Sequence, residues 1–74
     1  MEKRDEELIE SLLGREPELE KYYREHLDLE RQLSVFHQKP YLTTEEEVER
    51  KRLQKLKLAG KDRIMEILAR YRSH

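Results

Sequence analysis

The sequence predicts an all-α protein: an antiparallel helical hairpin of two long helices preceded by a short N-terminal helix. Three observations lead there. Leu19, Tyr22, His26, Leu29, Leu33 and Phe36 advance by three, four, three, four and three residues, the spacing of a helix that packs along one face. At about 100° per residue, Leu53, Leu56, Gly60, Ile64, Ile67 and Tyr71 form a second stripe on one face. Between the stripes, Lys39-Pro40-Tyr41-Leu42 interrupts the pattern, because a proline pushes the residue before it out of helical geometry.

Each element has its own punctuation. Asp5 is placed to cap a short first helix over about 5–13, with Glu6 and Glu7 favourable in its opening turn. Leu8, Ile9, Leu12 and Leu13 fall on one face of it, and Gly14 supplies the stop. Pro17 suits the first position of a helix over about 17–37. Thr43 with Glu46 and Thr44 with Glu47 offer two overlapping capping boxes for a last helix over about 44–71. Pairing the long helices around residue 40 sets Leu33 by Val48, Leu29 by Leu53, His26 by Leu56 and Tyr22 by Gly60. Leu29, Leu33, Leu53 and Ile64 are then expected among the best-buried side chains. Gly60 costs about 1 kcal/mol of helix propensity relative to alanine. Either the helix tolerates that loss, or the missing side chain makes room for the Tyr22 ring, the reading favoured here.

Residues 1–74 make one small domain, at a size where a single core is only marginally stabilising. Charged residues are 45% and hydrophobic ones 35%, so the core is lean and a partner or self-association has stability to add. The formal net charge is -1, but it is unevenly spread. Residues 1–20 carry eight acids and three bases, whereas residues 50–63 carry seven bases and one acid. With no cysteine, disulfides and thiolate metal sites are excluded. The charged start Met1-Glu2-Lys3-Arg4-Asp5 lacks the apolar run of a secretory signal, and no stretch has the length of a membrane span. The expectation is a cytoplasmic protein.

The segments His26-Leu27-Asp28-Leu29-Glu30-Arg31-Gln32-Leu33 and Lys57-Leu58 through Lys61-Asp62 to Ile64 resemble the YdcH-like family, small bacterial proteins of a domain of unknown function. The likeness covers roughly residues 17–70. Gln54 stands where the family usually has lysine, Leu56 where it has a polar residue, Gly60 where it has leucine and Arg63 where it has glutamate. The resemblance implies a helical hairpin and a bacterial source, and it implies no activity.

The chemistry the sequence offers is sparse. His26 is the one histidine on an apolar stripe, with Glu30 a turn further on as its reachable acid. There is no His-Glu-x-x-His pair, and His37 and His74 fall in the turn and at the end of the sequence, so no metal site is expected. A helix-packed histidine bonded to a neighbouring carboxylate or backbone group is the reading taken, and titration near neutral pH stays open to it. The carboxylate clusters Glu16/Glu18/Glu20 and Glu45-Glu46-Glu47 sit at helix starts, where acids belong electrostatically. Ser11, Ser34 and Ser73 lack a histidine–acid pair, and the two glycines form no phosphate loop. No enzyme activity, cofactor or small-molecule substrate is expected.

Two features remain for function. Tyr23 and Leu27 on the second helix, and Leu58 and Met65 on the third, point well away from the stripes and toward the same side. With Lys57, Lys61 and Asp62 as a polar rim they make a candidate protein-binding patch, for a second copy first and another protein second. The first helix, through Leu8, Ile9, Leu12 and Leu13, is the competing occupant. The basic run Arg50–Arg63 supplies the alternative, a nucleic-acid-binding accessory protein, though no aromatic residue is interleaved for base stacking.

Overall fold

Gly14, Pro17 and Pro40 divide the chain where their backbone chemistry requires. The computed structural model describes residues 2–72 and contains α1 (Lys3–Leu12), α2 (Pro17–His37) and α3 (Thr44–Arg72), with no strand among the described residues. α1 ends in a tight turn: Leu13 is extended, Gly14 has φ +90°, and the Arg15 N–H donates to the Leu12 carbonyl at 3.0 Å. That positive φ is the left-handed region where a Cβ clashes, so glycine belongs there. Pro17 then opens α2 at a position whose N–H would have no partner in any case.

α3 starts on one reciprocal capping box. The Glu46 N–H donates to Thr43 Oγ1 at 3.1 Å, and the Thr43 N–H donates to Glu46 Oε1 at 3.0 Å. The second box does not form, because Thr44 is already the first helical residue. Lys39 closes the turn by donating to Glu46 and lying over the Phe36 ring, 5.8 Å from its centroid. The Lys39 hydrogen bond, then the backbone of Thr43, hold the Glu46 carboxyl below its usual range.

At the other end, Asp5 is not the expected cap. α1 begins at Lys3, with Glu2 flanking it and making no side-chain capping bond. Asp5 is buried instead and accepts a hydrogen bond from Arg72 at the end of α3. The pairing partner is 67 residues away, so nothing local in the sequence announces it. Beside it, Tyr71 donates to Glu16, and this acceptor, then burial, push the Tyr71 phenol up.

The core lies toward this end. Ile9 and Leu12 of α1, Leu19 of α2, and Ile64, Ile67 and Leu68 of α3 form one buried cluster, with Leu8, Tyr22, Tyr23 and Met65 packed against it. α2 and α3 pack closely, and further toward the turn Leu33, Leu53 and His26 are buried between them. The whole measures 47 × 19 × 17 Å, a rod rather than a sphere.

The register differs from that expected. Lys39 meets Glu46 and Glu30 meets Lys57, which sets Leu33 level with Leu53, while Val48 falls at the end of α2 and is 63% exposed. The inward stripe of α3 therefore runs Leu53, Lys57, Gly60, Ile64 and Ile67, not through Leu56, which is 47% exposed. Leu29, expected in the core, is only half-buried. Gly60 does not seat Tyr22 either, because a Cβ built there meets nothing within 4 Å.

The two glycines should therefore answer alanine in opposite senses. Gly14→Ala forces a Cβ into the left-handed region and should cost about 1 kcal/mol or more. Gly60→Ala adds helix propensity in open space and should gain about 1 kcal/mol. Urea midpoints of the two variants check both signs.

Candidate interaction surface

Around the α2–α3 axis the structure has two flanks, and α1 occupies one end of one of them. Tyr23 and Met65 lie on that flank and pack against the cluster that Ile9 and Leu12 help to form. Burial, followed by the carboxylates of Glu6, Glu10 and Glu30, pushes the Tyr23 phenol up, which is the electrostatic mark of α1 passing beside it. Leu27 and Leu58, further toward the turn, stay 40% and 51% exposed. Lys57 is half-buried with its Nζ 3.7 Å from Glu30, and Lys61 is half-buried without a carboxylate partner among the described residues. Of the six residues Tyr23, Leu27, Lys57, Leu58, Lys61 and Met65, three are thus engaged within the chain, Tyr23 and Met65 by packing and Lys57 by Glu30, while Leu27 and Leu58 present free apolar surface.

The opposite flank has no third helix. There α2 and α3 enclose an open groove of about 450 Å³, lined by Tyr22, Glu25, Asp28 and Leu29 on one wall and Leu56, Ala59, Gly60 and Arg63 on the other. Two small residues, Ala59 and Gly60, follow one another in its lining and leave space that larger side chains would fill. The sequence placed Tyr22, Leu29, Leu56 and Gly60 inside the helix contact, and so missed the groove. The signal that could have revealed it is the pair Glu30 and Lys57: giving Lys57 an inward slot turns Leu56 outward.

Between the flanks sits a polar element. His26 is 4% exposed, and its Nε2 lies 3.0 Å from Glu30 Oε1, which Lys57 also approaches. With Nε2–H donating to the carboxylate, Nδ1 is the free lone pair of a neutral ring, and it has no hydrogen-bond partner. A second proton would have to sit on that buried, unpartnered atom. Burial accordingly lowers the His26 pKa; Glu30 opposes this and Lys57 adds to it. His37 closes α2, and His74 and Ser73 lie outside the described residues. Ser11 and Ser34 donate to the Leu8 and Arg31 carbonyls, both at 2.7 Å. Among the described residues no group of three His, Asp or Glu side chains stands close enough to hold a metal ion.

The basic run is partly answered within the chain. Arg50 pairs with Glu47, Arg52 with Glu49, Lys57 with Glu30 and Arg63 with Glu66, the last at 3.5 Å. Lys51, Lys55 and Lys61 remain without a carboxylate among the described residues, spread over about a third of a turn rather than in one row. Among the described residues no helix is long and apolar enough to cross a membrane.

No family model, curated protein or solved structure matches the chain.

The lowered pKa of His26 has a defined consequence for stability. The unfolded chain binds this proton more readily than the folded one, so stability is complete above the ordinary histidine pKa of 6.5 and falls as pH drops below it. Denaturant melts between pH 7.5 and 5.5 should show that decline. It should be flatter in His26→Leu, which carries no titrating group at this position.

Proposed function

We propose that this chain is a protein–protein interaction module: an antiparallel helical hairpin, steadied at one end by α1, that presents one flank to another protein. The reading includes no catalytic role and places the protein in the cytoplasm. The observation that carries it is the open groove, where Tyr22, Leu29, Leu56 and Ala59 offer apolar surface between charged walls. Interfaces of this kind centre on aromatic and aliphatic side chains with a polar rim, and a helix laid along a groove is a common way to fill one. The hairpin itself is supported by contacts that advance along α2 as they retreat along α3: Glu16 with Tyr71, Glu30 with Lys57, Lys39 with Glu46. The resemblance to the YdcH-like family accords with that shape.

The lean core supports the same reading. The main buried cluster draws on one end of the rod, while the groove leaves apolar atoms in water beside a polar seam. Covering the groove would remove that surface at roughly 25 cal/mol per Å² of apolar area.

A photoreactive amino acid at position 56 or 59 tests the proposal in cells. Adducts to protein from these positions, and far fewer from solvent-facing position 51, are expected. Equal labelling from all three positions, or adducts to nucleic acid that disappear with added salt, would overturn it.

A further inference from the structure

Charge is sorted across the groove. The α2 wall carries Glu25 and Asp28; the α3 wall carries Arg63. Glu25 has no partner among the described residues, and Arg63 reaches only Glu66, at 3.5 Å on its own helix. Asp28 is met on its own helix by Gln32 at 2.9 Å and Arg31 at 3.5 Å. The flank therefore holds charges of both signs around an apolar floor, with Glu25 unpaired and Arg63 only weakly paired among the described residues.

Such a surface complements itself under one symmetry. We propose that the groove binds a second copy of this chain, flank to flank, through a two-fold axis parallel to the long helices; this rests on the interaction-module reading and names its partner. That axis lays α2 of each copy over α3 of the other at equal height. Glu25 and Asp28 then face Arg63 of the second copy, twice over, and Leu56 of each copy meets Leu29 of the other. An axis across the helices would instead set α2 on α2, bringing Glu25 and Asp28 against their own counterparts, a like-charge contact that costs affinity. Charge thus selects both the partner and the orientation. The product is a bundle of four long helices, the arrangement in which paired hairpins close a shared core. The small residues Ala59 and Gly60 let the two copies approach closely. α1 stays on the outer flank of each, clear of the contact.

Sedimentation equilibrium of the purified full chain, from micromolar to millimolar concentration, tests this. Wild type is expected to form dimers. Ala59→Glu, at an exposed position in the groove, should weaken them about tenfold or more, and Leu58→Glu on the other flank should leave them unchanged. Glu25→Arg and Arg63→Glu should each weaken self-association, and an equimolar mixture of the two should tighten it again, since both pairs between positions 25 and 63 are then opposite in sign. Circular dichroism confirms that each variant keeps its helices. A wild type that stays monomeric at every concentration, dimers lost in Leu58→Glu but not in Ala59→Glu, or a mixture no tighter than its components would overturn the inference. A monomer that still gives protein adducts from positions 56 and 59 in cells would sink the second copy alone, whereas absence of both signals would remove the module reading with it.

Discussion

The structure depends on a shortage of apolar side chains to close two long helices along their length. Six residues from three helices make the main cluster, and they gather where α1 lies against α3. Small domains bury a low fraction of their surface, so a helix as short as α1 matters out of proportion to its ten residues. It brings Ile9 and Leu12 to an end of the rod that α2 and α3 alone would leave open. Having only one such helix, the chain covers one flank at one end. The groove and the exposed Leu27 and Leu58 are what that leaves.

Where the apolar supply thins, the seam turns polar. His26, Glu30 and Lys57 take positions that leucines would fill in a longer hydrophobic stripe, and Gly60 leaves its slot empty. The arrangement is satisfied at Glu30 but not at the ring's other nitrogen. The unpartnered His26 Nδ1 costs stability, while sliding one helix past the other would cost the Glu30–Lys57 contact. The same residues that weaken the middle of the rod therefore fix its register.

Much of the architecture was legible in the sequence because it rests on local chemistry. Gly14, Pro17 and the Thr43 box act within four residues of themselves, and the helix boundaries follow from them. Register was not legible, since it is settled by which long side chain reaches across the turn, and the Lys39–Glu46 and Glu30–Lys57 contacts depend on geometry that periodicity does not encode. That one displacement explains the exposed Val48 and Leu56, the half-buried Leu29 and the missed groove. Asp5 escaped for a related reason: a charged residue in a first turn reads as a cap, and its true partner lies at the far end of the chain.

The Asp5–Arg72 contact bears on the time course of folding. α2 and α3 are joined by a short connection, so their contacts form at small loop-closure cost, whereas joining Asp5 to Arg72 spans 67 residues and carries a larger one, which favours its forming late. An interaction absent from the transition state acts on the reverse rate. Arg72 therefore serves as a latch: it does little to hasten assembly and slows the first step of coming apart, the release of α1 from the end of α3.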